Sequence, residues 1–477
     1  MADRDLCFTP AGELVRLFRA RRASPLEVVQ AVLARIDAVN PGLNAYVTVA
    51  RESALAAARR ATAALRRGVV LPPLHGVPVS IKDLTPTAGI RTTWGSRIFE
   101  HHVPAEDGLI VARLRAAGAI VLGKTNTPEF GAGGNTFNAV FGATRNPWNP
   151  ALTCGGSSGG AAVALATGMG PLAQGSDLGG SLRVPAAFCG VVGFRTTPGL
   201  VPVYPRELAW DSLSVQGPMA RTVADVALML SVVAGPDDRA PLSYAVDPAG
   251  FRAAVRRPSI RGWRVAWTPD LDGLLPVDPE VARIAEGATQ VLRALGARVR
   301  AASPSFAELD EIVRGTRGLS MAALHGDKLP RWRAEMQPGL VGNIEQGLAL
   351  SARDIGRAEK LRSALWQRVR AFMEDHELLV LPTAAVRPFP VEQSYPTEIA
   401  GKPLADYTQW FFLSYAISVT GLPAISVPAG FTRDGLPVGL QIVGRRRQEV
   451  AVLRAAAAFE AAAPWADRVP PGLGPAR

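Results

Sequence analysis

The sequence contains few cysteines and histidines, the residues that form disulfide bonds or bind metals. There are three cysteines, at positions 7, 154 and 189, and five histidines in 477 residues. The cysteines are an odd set without CxxC spacing, and the histidines are scattered. This pattern argues against a disulfide framework and against a zinc site. We therefore expect an enzyme or binding protein that uses no metal and no cofactor.

Long apolar runs are also missing. No apolar stretch reaches the roughly 18 residues that a membrane-spanning helix needs. The first residues, MADRDLCFTPAGELVRLFRARR, lack the basic start, apolar centre and small-residue cleavage site of a secretory signal. We expect a cytoplasmic protein that makes no membrane contact.

Lysine is scarce in a strongly basic chain. The net charge is +11, yet five of the 52 basic residues are lysines, at positions 82, 124, 328, 360 and 402. The arginines are spread along stretches with helical periodicity, which is typical of solvated helix faces rather than of a phosphate-binding patch. We therefore expect no nucleic-acid partner.

Apolar strands alternate with amphipathic helices along the chain. Residues 24–39 predict a helix, with a Ser24/Glu27 capping box and an end at Asn40-Pro41. A second helix is predicted over 108–118. Strands are predicted at 75–84, 119–123, 263–267, 297–302, 377–382, 424–431 and 439–444. This alternation favours an α/β sheet with helices on both faces.

The chain shows no internal repeat, low-complexity tract or linker. Residues 306–375 are almost entirely helical in pattern and could cover one edge of the sheet. Because nothing marks a boundary there, we predict a single domain over 1–477.

Two glycine-rich runs carry the serines that suggest chemistry. The first is CGGSSGG (154–160) and the second, read as a loop, is GSDLGGSLRVPAAFCG (175–190). A short helix predicted at 161–168 lies between them. Its N-terminal amides would face the serines and could stabilise a developing negative charge. The pattern predicts an oxyanion site.

A nucleophilic serine needs a base, and no histidine occupies a recognisable position for one. There is no GxSxG nucleophile elbow. Lysine can act as a base when burial keeps it neutral, whereas arginine does not give up its proton. Lys82 lies in the apolar segment VPVSIKDL and is the candidate. The alternative is that Lys82 forms an ion pair with Asp83 or another acid.

An ordered set of motifs resembles the amidase signature family. They are GVPVSIKDL (76–84), LGKTNTPEF (122–130), TRNPWNP (144–150), GGSSGG (155–160), GSDLGGSLRVPAAFCGVVGFRTTPG (175–199), GPMARTVADVA (217–227), GLPAISVPAG (421–430) and GLPVGLQIVG (435–444). The resemblance implies one α/β/α domain with a mixed central sheet and a signature core at about 76–200.

The resemblance also implies a Ser–cis-Ser–Lys triad. Ser181 would be the nucleophile, Ser157 the bridging serine on a cis peptide after Gly156, and Lys82 the base. The backbone amides of Leu178, Gly179, Gly180 and Ser181 would bind the oxyanion. Gly131 would line the acyl pocket, although it could equally be an ordinary turn glycine. The implied reaction forms an acyl-enzyme that water hydrolyses.

Several polar and thiol side chains stand close to these positions in the sequence. We expect Ser158, Asp177 and Arg183 to hold the loops without taking part in the chemistry. Cys154 and Cys189 have no histidine partner and are interpreted as small packing residues.

The sequence does not select one substrate. Aromatic residues at 389, 395, 410, 411 and 412 predict an apolar mouth, or alternatively part of the core. An apolar mouth would suit aryl or alkyl amides and related esters or carbamates, including urethanes. The alternative within the family is the glutaminase (A) subunit of a tRNA-dependent amidotransferase, although 381–412 lacks the charged pattern expected for glutamine capture. We expect a monomer or homodimer.

Overall fold

The computed structural model describes residues 5–67 and 70–474. Residues 1–4, 68–69 and 475–477, which the predicted domain includes, lie outside the described residues. The helices are α1 Ala11–Arg19, α2 Pro25–Leu43, α3 Arg51–Arg66, α4 Leu109–Ala116, α5 Gly159–Ala166, α6 Arg183–Cys189, α7 Val223–Val233, α8 Pro248–Ala254, α9 Pro279–Ala294, α10 Leu309–His325, α11 Leu329–Trp332, α12 Pro338–Leu348, α13 Ala352–Glu374, α14 Phe412–Thr420 and α15 Glu449–Ala462.

The strands alternate with these helices. They are β1 Tyr46–Val49, β2 Pro78–Lys82, β3 Ile120–Thr125, β4 Phe137–Asn138, β5 Gly142–Ala143, β6 Leu172–Asp177, β7 Val192–Arg195, β8 Val215–Ala220, β9 Arg264–Trp267, β10 Arg298–Ala301, β11 Leu378–Pro382, β12 Glu398–Ile399, β13 Lys402–Pro403, β14 Ala424–Phe431 and β15 Pro437–Gly444. Short 3₁₀ turns occur at Arg97–Phe99, Glu129–Gly131, Gly326–Lys328 and Gln409–Phe411.

A single 11-stranded sheet organises the structure, in the order β1-β3-β2-β6-β8-β7-β14-β15-β11-β9-β10. Strand β2 runs parallel to β3 and β6, and β9 runs parallel to β10 and β11. The other pairings in this sheet, such as β6 with β8 and β14 with β15, are antiparallel. The prediction of a mixed central sheet is confirmed.

Helices cover both faces of the sheet, and the side chains of β11 pack alternately against the helices on the two sides. Leu378 and Val380 pack into a core built largely with α1, α2, α5, α7 and α15. Leu379 and Leu381 point to the opposite face, into a core built with α10, α13 and α14. Since successive side chains of a strand alternate between faces, a continuous apolar run is what a strand covered on both sides requires. The α/β/α layering follows from this pattern.

The predicted first helix is present and longer than expected. The Ser24 hydroxyl accepts from the Glu27 amide at 3.2 Å, and the Glu27 carboxylate accepts from the Ser24 amide at 2.7 Å, which completes the capping box. The helix does not end before Pro41 but continues to Leu43. A proline so near the helix end leaves few backbone bonds to disrupt, and Asn44, with φ 55°, ends the helix in the left-handed region.

The predicted strands are found, but four strands of the 11-stranded sheet escape prediction from sequence. These are β1, β6, β7 and β8. The sequences of β6 (LAQGSD) and β8 (VQGPMA) contain glycine, proline and polar residues that strands usually avoid. The expected loop at 175–190 is therefore wrong in part, because it comprises the end of β6, a turn at 178–182 and helix α6.

The long helical region is confirmed by α10 to α13. A small apolar cluster formed by α10 and α12, with Met321, Leu340 and Ile344, packs against Phe130 in the loop after β3. The helical cover thus forms one wall of the cleft described below. In the described parts of the chain, no helix has the length and apolarity needed to cross a membrane.

Candidate active site

The candidate site lies where the parallel strands β2 and β6 end side by side. Val79 pairs with Leu172 and Ile81 with Gln174, so the two strands run in register toward the same edge of the sheet. Lys82 is the last residue of β2, and Ser176 and Asp177 end β6. The carboxyl edge of parallel strands is where α/β proteins place ligands.

Lys82 is fully buried and its amine is surrounded by hydroxyls. Its Nζ lies 2.7 Å from the Oγ of Ser157, 2.9 Å from that of Ser158 and 3.1 Å from that of Ser176. Burial lowers the pKa of Lys82 to about 7, although the negative charge of Asp177 opposes this change. The amine can therefore be neutral near physiological pH.

The alternative ion pair with Asp83 does not form. In the described residues Lys82 contacts no carboxylate, and the Asp83 carboxylate instead accepts from the Thr93 amide at 3.1 Å and the Thr93 hydroxyl at 2.6 Å. The desolvated amine of Lys82 consequently has no paired negative charge that would keep it protonated.

The hydrogen bonds of Ser158 orient the lysine. Its hydroxyl donates to the Ser176 carbonyl oxygen at 3.2 Å, so its oxygen accepts a hydrogen bond from the Lys82 amine. Ser157 Oγ has the Lys82 amine as its hydrogen-bond partner and is free to donate to it. Ser158 therefore contacts the candidate base directly, whereas the sequence predicts for it only a role in holding the loop.

The glycines of the run at 154–160 allow close backbone contact. The peptide bond between Gly156 and Ser157 is cis. A Cβ atom on Gly156 would lie 2.8 Å from the carbonyl carbon of Asn135, and one on Gly160 would lie 2.4 Å from the amide nitrogen of Asn126. Side chains at these positions would push Ser157 and the start of α5 away from that backbone.

Ser181 lies in the turn between β6 and α6 and lines the same cleft as Ser157. Its hydroxyl makes no hydrogen bond to another described residue. The amides of Leu178, Gly179 and Ser181 likewise have no acceptor among the described residues, and all three residues line the cleft. The amide of Gly180 differs from the expectation, because it donates to Asp177 Oδ1 at 2.9 Å.

A buried ionic network fixes this turn. Asp177 pairs with Arg183 at 2.9 Å and with Arg195 at 3.0 Å, and all three side chains are inaccessible to solvent. Burial alone would raise the pKa of Asp177, but the two guanidinium groups hold it well below its usual range. The carboxylate also accepts from the amides of Gly180 and Leu182. The expectation that Asp177 and Arg183 hold the loop agrees with these contacts.

Two residues of this region, Arg195 and Ser176, are not predicted from the sequence. Arg195 lies in a quoted motif, GFRTTPG, but nothing in its spacing relates it to Asp177. Ser176 precedes Asp177 in a segment read as a loop; as the penultimate residue of β6, it lies two positions after Gln174 and therefore on the same face. Had β6 been predicted as a strand, the position of Ser176 near its end would have marked it as a candidate site residue.

Gly131 faces Ser157 across the cleft. It has φ +72°, and a Cβ atom there would lie 2.7 Å from Leu84 Cδ1 and 3.5 Å from Ser157 Oγ. Both the left-handed backbone and the lack of space call for glycine. Gly131 therefore adjoins Ser157 in the cleft, and its place in an acyl pocket stays a prediction.

The aromatic segment contributes less to the cleft than its composition suggests. Phe411 lines the cleft, whereas Phe389, Trp410 and Phe412 are buried in the core and Tyr395 is 38% exposed at the surface. The alternative interpretation, an aromatic core, is therefore correct for most of the segment.

Aromatic walls come from another part of the chain. A groove adjoins the cleft and shares Leu84, Phe130, Ser176 and Ser214 with it. Trp94 and Phe99 line this groove, with ring centroids 4.9 Å apart. His325 stacks on Phe130 with 4.5 Å between ring centroids.

The three thiols are unsuited to catalysis. Cys7, Cys154 and Cys189 are free and buried. Burial raises the pKa of the Cys154 thiol to about 12 and that of Cys189 well above its usual value, so neither supplies a thiolate near neutral pH. Over residues 5–67 and 70–474, no group of three or more histidine, cysteine or acidic side chains is arranged to hold a metal ion.

Known proteins resemble this chain in sequence and in fold. A family model described as Amidase matches residues 27–453. The acylamidase of Rhodococcus erythropolis is 40% identical over 473 residues, which cover 98% of each chain. The glutamyl-tRNA(Gln) amidotransferase of Thermosynechococcus vestitus has an (A) subunit that is 34% identical over 490 residues, covering 96% of this chain and 98% of that one.

A solved structure shares the fold over nearly the whole length. The crystal structure of a bacterial aryl acylamidase of the amidase signature family superimposes with a TM-score of 0.90 at 31% identity, covering 96% of this chain and 97% of that one. Together with the family match and the relatives above, this shows that the chain belongs to the amidase signature family.

Proposed function

We propose that the protein hydrolyses acyl amides, with aryl or alkyl groups on the amide, through an acyl-enzyme on Ser181. The observation that carries the proposal is the buried amine of Lys82, which lies 2.7 Å from Ser157 in a cleft that Ser181 also lines. Similarity to an acylamidase over almost the full length supports the same reaction class.

The proposed reaction begins with a proton relay. Neutral Lys82 accepts the Ser157 hydroxyl proton while Ser157 accepts that of Ser181, and the Ser181 oxygen forms a bond to the amide carbonyl carbon. Hydrogen bonds between catalytic groups often tighten only when substrate binds, which agrees with a Ser181 hydroxyl that has no partner among the described residues.

The same relay runs backwards to release the amine. The carbon–nitrogen bond breaks, and the leaving nitrogen takes the proton returned through Ser157. A water molecule then loses a proton to the relay, attacks the acyl-enzyme and displaces the Ser181 oxygen, which recovers a proton. The products are an amine and a carboxylic acid.

The turn after β6 supplies the proposed oxyanion donors. The amides of Leu178, Gly179 and Ser181 are available, and each such donor is worth about 3 kcal/mol in comparable sites. The Gly180 amide plays a different part, since its bond to Asp177 holds the turn that presents the others. We therefore assign three oxyanion donors, and not the four amides that the family resemblance implies.

The groove next to the cleft supports aryl substrates. Trp94, Phe99 and Phe130 offer ring faces and edges to an aromatic group, and aromatic pairs gain free energy beyond the area they bury. Carbamates with an aryl group present a similar carbonyl and leaving amine, so a urethane-cleaving activity is part of the proposal. Loss of the amine would leave an alkoxycarbonyl group on Ser181, and loss of the alcohol would leave a carbamoyl group on it.

The test is turnover by the purified chain alone. Butyryl-4-nitroanilide should release 4-nitroaniline, and rapid-quench mass spectrometry should detect a butyryl group on the peptide containing Ser181. Ser181→Ala should lower the rate by at least about 10³-fold while the far-ultraviolet circular dichroism stays unchanged. An acylated peptide elsewhere, or full activity of the variant, would disprove the assignment.

The second candidate is a glutaminase subunit of an amidotransferase, favoured by the 34% identity to such a subunit. That reaction would also use an acyl-enzyme, but with glutamine as the amide. No anilide turnover by the chain alone, together with glutamine hydrolysis that depends on partner subunits and tRNA, would favour it over the hydrolase.

A further inference from the structure

The active-site cleft contains a buried arginine that the proposed reaction does not use. Arg317 lies in the middle of α10 and lines the cleft, as does Met321 one turn later. Its residue surface is 7% exposed. Because a guanidinium group stays charged in proteins, this side chain places a full positive charge in the wall of the cleft.

Neutral groups hold this guanidinium in place. Its Nε donates to Asn343 Oδ1 at 2.9 Å and its Nη2 donates to the Tyr407 hydroxyl oxygen at 2.7 Å. The Tyr407 hydroxyl in turn donates to Asn343 Oδ1 at 2.8 Å. The buried Tyr415 hydroxyl also lies close, without a hydrogen bond of regular geometry. These groups fix the guanidinium plane and leave Nη1 with no regular hydrogen bond to any described residue.

No negatively charged group neutralises Arg317 in the described structure, although its guanidinium carbon lies 5.7 Å from the centroid of the Tyr407 ring. Among residues 5–67 and 70–474, no carboxylate forms an ion pair with it. The buried arginines Arg183 and Arg195 differ from Arg317, because both form ion pairs with the carboxylate of Asp177. A buried charge costs free energy unless it is paired, and proteins pair such charges with few exceptions. An unpaired cation in a substrate cleft calls for a negative partner from the ligand.

We propose that Arg317 binds a carboxylate group of the substrate, so that the favoured substrates are amides that carry an anionic group near the bond that is cleaved. This inference rests on the proposed function, because it places the carboxylate in the cleft that holds Ser181. A guanidinium fork with one free edge matches carboxylate geometry.

The proposed substrate must reach two parts of the cleft wall at once. One wall carries Arg317 and Phe411, and another carries the turn from Leu178 to Ser181. A ligand that reaches both walls is a small molecule. The carboxylate can belong to the acyl group or to the leaving amine, and the two cases need separate substrates.

The experiment compares each acid with a neutral isostere. Glutaryl-4-nitroanilide against 5-methylhexanoyl-4-nitroanilide tests the acyl side, and N-butyryl-4-aminobenzoate against N-butyryl-4-isopropylaniline tests the amine side. In at least one pair we expect the acid to have a kcat/KM at least about tenfold higher, mainly through a lower KM. Arg317→Met should remove that preference, and Arg317→Lys should retain part of it.

A matched control comes from the same helix. Arg314 is one turn away and exposed, where it pairs with Asp310, so Arg314→Met should keep the wild-type preference. The inference is overturned if the neutral member is favoured in both pairs, or if Arg317→Met keeps the preference. The wild-type comparison decides the matter even if Arg317→Met does not fold.

Binding separates this inference from the proposed function. With Ser181→Ala, calorimetry should show the acid binding at least about tenfold more tightly than its isostere, and the difference should disappear in the double variant with Arg317→Met. Equal binding of acid and isostere would overturn the inference alone. Failure of the wild type to cleave any of the four amides would overturn the proposed function alone.

Discussion

The amine of Lys82 and the hydroxyl of Ser157 lie 2.7 Å apart, and both side chains are buried. The other contacts of the amine are the hydroxyls of Ser158 and Ser176. Hydroxyls solvate a neutral amine well and an ammonium ion poorly in comparison with water. The sheet therefore presents a base at its carboxyl edge without a histidine.

The first prediction concerns the pH dependence of turnover. Burial lowers the pKa of Lys82 to about 7, and a lysine is a base only when it is deprotonated. The kcat/KM for a neutral anilide should therefore rise as pH increases through about 7 and reach a plateau above pH 8. A rate measured at pH 5 that equals the plateau would show that Lys82 is not the base.

The second prediction is that the proposed base destabilises the fold. The unfolded lysine, with a pKa of 10.5, binds a proton that the folded one releases at about 7. The free energy of unfolding of the wild type should therefore rise with pH between 7 and 10.5. At pH 8, deprotonation of Lys82 on folding lowers the free energy of unfolding by ~3 kcal/mol, and the hydrogen bonds of its amine offset part of this loss.

Lys82→Met should accordingly be inactive and yet more stable, by about 1–3 kcal/mol at pH 8. Urea denaturation at several pH values measures this, and the advantage should shrink as pH approaches 10.5, where the unfolded lysine also becomes neutral. A variant that is less stable than the wild type at pH 8 would contradict the burial argument. Burial also lowers the pKa of Lys124 to about 7. Its effect on the pH dependence of stability is the same in the wild type and in Lys82→Met, so it cancels in the comparison.

The sequence predicts the strongly apolar strands and the lysine better than the strand that forms the site. β11 is a continuous apolar run, which is recognised as a strand from the sequence alone. β6 instead combines Gln174, Ser176 and Asp177, because its end forms the site. A strand that carries polar chemistry loses the apolar pattern by which strands are found.

The cleft walls escape prediction for a different reason. Phe130 and Arg317 reach the cleft from a loop and from a helix separated by almost 190 residues of chain, and only packing of α10 over that loop brings them together. The aromatic residues at 410–412 are close in sequence but point in different directions. Trp410 lies under Gly134, where a Cβ atom would be 2.2 Å from its ring.

The third prediction concerns the thiols. Burial raises the pKa of Cys154 to about 12, so alkylating reagents should find almost no thiolate at pH 8. Prolonged treatment of the native enzyme with iodoacetamide should leave its activity unchanged, and mass spectrometry should find all three cysteines unmodified until the protein is unfolded. Inactivation at the rate of a free thiol, with Cys154 modified in the mass spectrum, would show that Cys154 is exposed and reactive.

The fourth prediction concerns the buried network of Asp177. Asp177→Asn would leave Arg183 and Arg195 without their carboxylate in a solvent-free position, and we expect a loss of about 3–5 kcal/mol in the free energy of unfolding. The turn that bears Ser181 should also loosen, so kcat should fall in the fraction that remains folded.

Urea denaturation at pH 7 measures the loss, and Asp310→Asn is the matched control. Asp310 pairs with Arg314 on the exposed face of α10, where solvent screens the charges, so its replacement should change stability very little. Since the pKa of Asp177 is held well below its usual range, its stabilising effect in the wild type should persist as pH falls from 7 to 4. Equal losses in the two variants would contradict the assigned network.

The last prediction separates space from backbone conformation at Gly131. Gly131 has φ +72° and Gly89 has φ +70°, but a Cβ atom at 131 would meet Leu84 at 2.7 Å, whereas one at 89 would meet nothing within 4 Å. Replacing either glycine by alanine should cost about 1–2 kcal/mol of stability through the left-handed backbone. Gly131→Ala alone should lower kcat/KM, by at least about tenfold, because its methyl group enters the cleft beside Ser157. Adding Leu84→Ala to Gly131→Ala should restore part of the lost kcat/KM. Equal activity of Gly131→Ala and Gly89→Ala would show that the acyl group does not use the space at residue 131.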